Sequence, residues 1–181
     1  IILDPYDVWR LTRGLGVSFE ALLQDKLELN LVEGIILPNM KTSGENERCG
    51  FLNGEGRCSV HALRPGFCRI FPLGRFYENH SFQYFLQVHE CPREPKLKVK
   101  VQKWIDTPDL KRNEKFIIDW HYFLKDVTAR LGEQNGEQYQ KMIDLYILKS
   151  FYQEEWEKDR DFYEQFDERL TKAKEILKIS G

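Results

Sequence analysis

Residues 48–92 read RCGFLNGEGRCSVHALRPGFCRIFPLGRFYENHSFQYFLQVHECP and contain all four cysteines of the 181-residue chain. The thiols follow the spacing C-x8-C-x9-C-x22-C, at Cys49, Cys58, Cys68 and Cys91. The same stretch holds the densest run of Arg, Gly and aromatic residues, whereas the long helical patterns that follow it contain no cysteine. We therefore expect the chemistry to lie in this stretch and most of the scaffold to lie outside it.

Two turn-forming sequences interrupt the stretch. Asn53-Gly54-Glu55-Gly56 lies between short apolar runs, which predicts a tight turn that brings Cys49 toward Cys58. Strand-favouring aromatic residues flank Glu78-Asn79-His80, which predicts a second hairpin there. This hairpin would return the chain toward Cys68 and make the last two cysteines neighbours.

The residues ahead of the cysteines predict two short helices. Asp4 followed by Pro5 is a typical helix start, and the glycines at positions 14 and 16 are expected to end that helix. Ser18 can cap a second helix, which the apolar spacing extends to about Asn30. A brief apolar run over residues 35–37 ends at Pro38, and a polar loop is expected after it.

Helical spacing dominates the chain beyond Pro95. A short helix is predicted near residues 101–105, followed by helices over about 117–131, 136–145 and 159–178, with residues 147–152 left unassigned. The predicted fold is therefore mainly α, with an irregular cysteine-rich module that contains short β-hairpins and packs against the C-terminal helices. We expect residues 1–95 to form this cysteine-cluster module and residues 96–181 the helical region, packed together as one globular unit.

Composition limits the classes of partner. Hydrophobic residues make up 41% and charged residues 31% of the chain, as is usual for a globular protein. The net charge of -2 gives no electrostatic reason to bind nucleic acid or an anionic membrane. Neither an apolar run of membrane-spanning length nor a signal-peptide pattern occurs in the sequence, so we expect a cytoplasmic protein without nucleic-acid or membrane partners. The composition does not exclude a protein partner or a protein substrate.

Four thiols suit a soft metal. Tetrahedral zinc and iron-sulfur clusters are both held by cysteine thiolates, but the close C-x2-C pairs of common zinc sites are absent from this sequence. Disulfides and buried free thiols are the alternatives, although disulfides seldom persist in a reducing compartment. From the residues alone, all three interpretations stay open.

Other side chains in the stretch could assist a bound group. Arg64 and Arg69 flank Cys68 and are candidates for binding an anionic cofactor or a carboxylate. The alternative is that Arg64 fixes the local turn through backbone carbonyls while Arg69 offsets cluster charge. His89 stays open as a metal ligand, since imidazole ligation is common but four thiols already suffice.

Two segments resemble a known family. Residues 49–52 (CGFL) and 58–73 (CSVHALRPGFCRIFPL) resemble the C-x-F-L and C-x-[IV]-[HY]-x-x-R-P-x-x-C-R-x-F-P motifs of the YkgJ-type cysteine-cluster family. The opening residues IILDPYDVWRL are similar to the I-x-L-x-P-x-D-[IV]-x-R-L segment upstream of those motifs. The resemblance spans about residues 1–91 and implies a zinc- or iron-chelating domain.

The resemblance carries further implications. Iron-sulfur is favoured over zinc by a small margin, because several arginines near the thiols would stabilise an anionic cluster. The relation of the family to flagellin lysine-N-methylases implies, as an alternative, a protein-lysine methyltransferase that uses S-adenosylmethionine; a zinc-stabilised interaction module is a third possibility. Family members carry more cysteines just ahead of the I-x-L-x-P segment, so four thiols would be part of a larger ligand set if the full chain has them.

Overall fold

The computed structural model describes residues 1–44, 47–90, 98–133 and 136–179. Helices dominate these residues, short antiparallel hairpins supply the strands, and the C-terminal helices pack into the core, as predicted. The helices are α1 (Pro5–Leu15), α2 (Phe19–Asp25), α3 (Gly66–Ile70), α4 (Val101–Ile105), α5 (Leu110–Glu133), α6 (Glu137–Leu148) and α7 (Phe162–Leu177). The strands are β1 (Leu27–Val32), β2 (Ile35–Met40), β3 (Thr42–Ser43), β4 (Arg48–Cys49), β5 (Leu73–Glu78) and β6 (Ser81–Leu86).

Helix α1 begins and ends where the sequence predicts. The Asp4 side chain accepts from the backbone N–H of Asp7, and the Asp7 side chain accepts from the backbone N–H of Asp4. This capping box satisfies two of the donors that a helix start leaves open, while Pro5 needs no partner at the first helical position. Gly16 ends the helix in the left-handed conformation, with φ 66°.

The prediction of a helix from Ser18 to about Asn30 is wrong in its second half. Ser18 caps α2 as expected, but α2 ends at Asp25 and residues 27–32 form β1, which pairs with β2. The leucines at 27, 29 and 31 alternate with polar residues, which is the strand period, and only the pairing with β2 makes that period decisive. Strand β2 also continues through Pro38, where the sequence predicts a break.

The two hairpins predicted in the cysteine stretch are confirmed. Asn53 accepts backbone hydrogen bonds from Glu55 and Arg57 through its side chain, and Leu52 bridges Cys58 across the turn. Strands β5 and β6 pair over their full length and are joined by Asn79-His80, both at positive φ. Both turns therefore follow from local sequence.

The C-terminal helices supply most of the core. Helix α5 starts earlier than predicted and runs one residue past Gly132, and residues 149–153 form a π-helical turn after α6. A single cluster of buried side chains extends from Leu3 to Ile179 and includes both α1 and α7. The stripe predicted on α7 is buried in full: Phe162, Phe166, Leu170, Ala173 and Leu177. No helix in the described ranges is both long and apolar enough to cross a bilayer.

Candidate metal centre

Three separate pieces of backbone deliver three of the cysteines. Cys49 is the last residue of β4 and pairs with Thr42, Cys58 lies across the Asn53 turn from Leu52, and Cys68 is the middle residue of α3. All three are half-buried free thiols. Each therefore keeps a sulfur that can bind a ligand.

Cys49 and Cys58 lie close enough to Cys68 to act on it electrostatically. The pKa of Cys68 is raised to about 11, mainly by burial and further by the negative charges of Asp7, Cys49 and Cys58; the Arg64 guanidinium opposes this rise. Without a metal, Cys68 is therefore a neutral thiol at physiological pH, and any metal that binds it must displace a proton.

The fourth predicted ligand, Cys91, lies outside the described residues, as does Pro92. Within the described residues, no three His, Cys, Asp or Glu side chains converge closely enough to enclose a metal ion. The three thiols alone thus form no closed cage in this conformation. Their chemistry nevertheless fits a soft metal, because all three donors are sulfur atoms and none of them is in a disulfide.

Helix α3, which carries Cys68, is capped by the distant Asp7 and not by a side chain of a neighbouring residue. The residue before α3 is Pro65, whose side chain cannot cap. The carboxylate of Asp7 instead accepts a 2.7 Å hydrogen bond from the backbone N–H of Gly66, the first residue of α3. One buried side chain therefore closes the start of α1 and of α3 and fixes the backbone two residues before Cys68.

Burial of this carboxylate has an electrostatic cost. The pKa of Asp7 is raised well above its ordinary value by burial and by the nearby charge of Asp4. Burial likewise raises the pKa of Asp4 to about 6, although hydrogen bonds from the backbone and the charges of Arg75 and Arg10 oppose the rise. The pair therefore holds a proton at mildly acidic pH.

The side chain of Arg69 also fixes the loop of residues 62–66 that leads into α3. Its guanidinium donates to the carbonyls of Arg64 (3.1 Å), Ala62 (2.6 Å) and Asp106 (2.8 Å). All three guanidinium nitrogens are thus engaged with backbone carbonyls. The loop-fixing role that the sequence suggested for Arg64 therefore belongs to Arg69, with Arg10 donating to two of the same carbonyls.

Arg64 remains available for a different role. Its buried Nε has no hydrogen-bond partner among the described residues, and its charge lowers the pKa of Cys68. The Nε of Arg75 is in the same state, and Arg75 acts on the two buried carboxylates. The charge of Arg64 therefore acts directly on a candidate ligand, Cys68.

An apolar pocket of about 640 Å³ lies beside Cys68. The rings of Phe67 in α3 and of Phe71 just after it form part of the pocket wall and are half exposed. The lining residues are Ile1, Ile2, Phe67, Cys68, Phe71, Leu73 and Gln87. His61 and His89 are exposed in the same module, and nothing in the described contacts assigns either a role.

Sequence reasoning overlooked two positioning residues of this centre. Asp7 and Arg10 connect α1 to the backbone of residues 62–66. Both lie in the opening IILDPYDVWRL segment, which the family resemblance marks but which spacing and composition alone did not connect to the thiols. Only the family motif could have pointed to these two residues, because the backbone groups they bind lie more than fifty positions further along the chain.

Comparison with known proteins agrees with the chemistry of the thiols. The model of the CxxCxxCC family, described as a putative zinc- or iron-chelating domain, matches residues 10–92 of this chain. The match covers Cys49, Cys58, Cys68 and Cys91 and ends where the cysteine module is expected to end. No curated protein and no solved structure matches the chain.

Proposed function

We propose that this protein binds zinc or iron through Cys49, Cys58 and Cys68, with Cys91 as the fourth thiolate. The observation that carries the proposal is that separate segments deliver three free thiols, with Cys49 and Cys58 near enough to Cys68 to act on it electrostatically. The match to a zinc- or iron-chelating domain over the same residues supports it.

The surrounding residues would prepare the thiols for a metal. Asp7 and Arg69 hold the backbone just ahead of Cys68 by hydrogen bonds to main-chain atoms of residues 62–66, so little chain entropy remains to be lost when a ligand binds. Arg64 favours the thiolate form of Cys68. A bound metal would supply the remaining stabilisation of the thiolates.

Within this proposal we favour an iron-sulfur cluster over zinc. A cluster with four thiolates is anionic, and Arg64 places an incompletely hydrogen-bonded guanidinium in the low-dielectric surroundings of Cys68. Its role would be structural, redox or in metal handling. The methyltransferase alternative with S-adenosylmethionine and the zinc-stabilised interaction module stay predictions from sequence resemblance.

Metal analysis of protein purified without oxygen tests the proposal. Brown protein with stoichiometric iron and sulfide is the expected result, and colourless protein with stoichiometric zinc would contradict the preference for a cluster while keeping the metal site. Protein with neither metal, after reconstitution with each, would overturn the proposal.

Variants then test the ligand set. Cys68→Ser is expected to lose most of the metal, because it removes one of the soft donors. His61→Ala, an exposed neighbour in the same module, is the control and should keep the metal. Full metal content in Cys68→Ser would contradict the assignment of Cys68.

A further inference from the structure

The hairpin of β1 and β2 has one covered edge and one open edge. Backbone groups of β2 that point away from β1 are engaged: Leu3 N–H donates to Pro38 O, Met40 N–H donates to Ile1 O, and Ile36 N–H donates to the Asp144 carboxylate. Strand β2 is therefore central, with β1 on one side and the opening residues and α6 on the other.

The register identifies the open groups of β1. Leu27, Leu29 and Leu31 face Met40, Pro38 and Ile36. In an antiparallel pair, when the N–H and C=O of one residue point away from the partner strand, those of the residue opposite it do so too. The N–H and C=O of Leu29 and Leu31 consequently face away from β2, and no backbone partner meets them within the described ranges.

Two exposed leucines accompany these open groups. Leu29 is 42% exposed and Leu31 is 70% exposed, although both lie on a strand that is hydrogen-bonded to the core strand β2. Edge strands of soluble proteins are commonly protected by charges, proline or a covering element. Leu29 and Leu31 instead offer apolar side chains together with open main-chain donors and acceptors.

We propose that β1 pairs with β1 of a second copy of this chain, antiparallel and centred on Asn30, to form one four-stranded sheet. In this register Leu29 lies opposite Leu31 of the second copy and Leu31 opposite its Leu29. Both pairs carry outward-facing groups, so four main-chain hydrogen bonds form, and the four leucines meet on one face of the sheet.

Charge favours this register over its neighbours. Centring on Asn30 sets Glu28 opposite Val32 of the second copy, so no like charges face each other. A twofold axis at Leu29 would bring Glu33 of the second copy toward Asp25. An axis at Leu31 would put Glu33 of the second copy opposite Leu29 and leave fewer residues paired.

The molar mass of the full chain, measured by sedimentation between about 1 µM and 1 mM, tests the proposal. A dimer is expected to form within this range, and Leu31→Lys should raise the dissociation constant about tenfold or more. Leu29→Pro should do the same, since it removes only an outward N–H. Ile176→Lys, at a 49% exposed site on α7, is the control and should leave the dimer intact.

Disulfide trapping tests the register. The cysteine of Asn30→Cys would lie directly opposite the same cysteine of the second copy, with their Cβ atoms roughly 4.5–5.5 Å apart. The two thiols can then be oxidised to a disulfide cross-link. Glu28→Cys, two residues away on the same strand, would face Val32 and should not cross-link. Monomeric protein at all concentrations, association unaffected by both edge variants, or equal trapping at positions 28 and 30 would each overturn the proposal.

Discussion

Asp7 and Gly66, which are separated by 59 positions in the sequence, are joined by a 2.7 Å hydrogen bond from the Gly66 N–H to the Asp7 carboxylate. The bond connects the first helix of the chain to the helix that carries Cys68. The geometry of the candidate metal centre therefore depends on residues ahead of the cysteine stretch.

Asp7→Ala is expected to lower the free energy of unfolding by about 2 kcal/mol, because it leaves the partly buried Gly66 N–H and one helix-start donor without their acceptor. Urea denaturation measures this loss. Asp7→Asn keeps an acceptor oxygen and is the matched control, expected to lose clearly less. Equal losses in the two variants would show that the hydrogen bond to Gly66 contributes little.

Asp4 should make stability depend on pH between about 4 and 6. Its folded pKa of about 6 exceeds the ordinary 3.8, so the folded state binds the proton more tightly. Its favourable contribution is complete below pH about 4 and is lost as pH rises through 6. Asp4→Asn should remove this decline, which is read from the difference between wild-type and variant unfolding curves across that range. A pH-independent difference would contradict the raised pKa.

Arg69→Met is expected to cost about 3 kcal/mol of stability, because three backbone carbonyls lose a charged donor at once. Thermal or urea unfolding provides the measurement. Arg57→Met, whose side chain is 83% exposed, is the control and should change stability by less than about 0.5 kcal/mol. A similar small change at Arg69 would argue against its role in fixing the loop.

Arg64→Gln should raise the pKa of Cys68 further, since the Arg64 charge lowers it in the native protein. The fraction of thiolate at a given alkaline pH falls, and alkylation of Cys68 by iodoacetamide slows accordingly. Peptide mass analysis separates Cys68 from the other thiols. Faster alkylation in Arg64→Gln would contradict the assigned charge effect.

Metal affinity should rise with pH. Cys68 is protonated throughout the neutral range because its pKa is about 11, so binding through its sulfur releases a proton. The association constant for zinc is expected to increase about tenfold per pH unit for each proton displaced. Competition with a chelator between pH 6 and 8 measures the slope, and a slope of zero would exclude binding through a protonated thiol.

Local features of this protein were determined by its sequence. The Asp4 and Ser18 caps, the turns at Asn53 and Asn79 and the buried stripe of α7 all follow from side chains within a few residues of each other. Such features depend on capping, turn preference and helical period, which are local properties. The cysteine motif likewise predicts zinc or iron chelation, which the match of a chelating-domain model to residues 10–92 supports.

Tertiary structure decided what depends on distant partners. Leu27–Val32 became a strand because it pairs with β2, whereas the apolar spacing that begins in α2 predicted a helix continuing to about Asn30. Arg69 rather than Arg64 fixed the loop because the carbonyls of Ala62 and Asp106 lie within its reach. Asp7 reached the helix of Cys68 only through the packing of α1. The hydrogen bonds from Arg69 to Asp106 and from Gly66 to Asp7 join residues 37 and 59 positions apart, whose proximity no local pattern encodes.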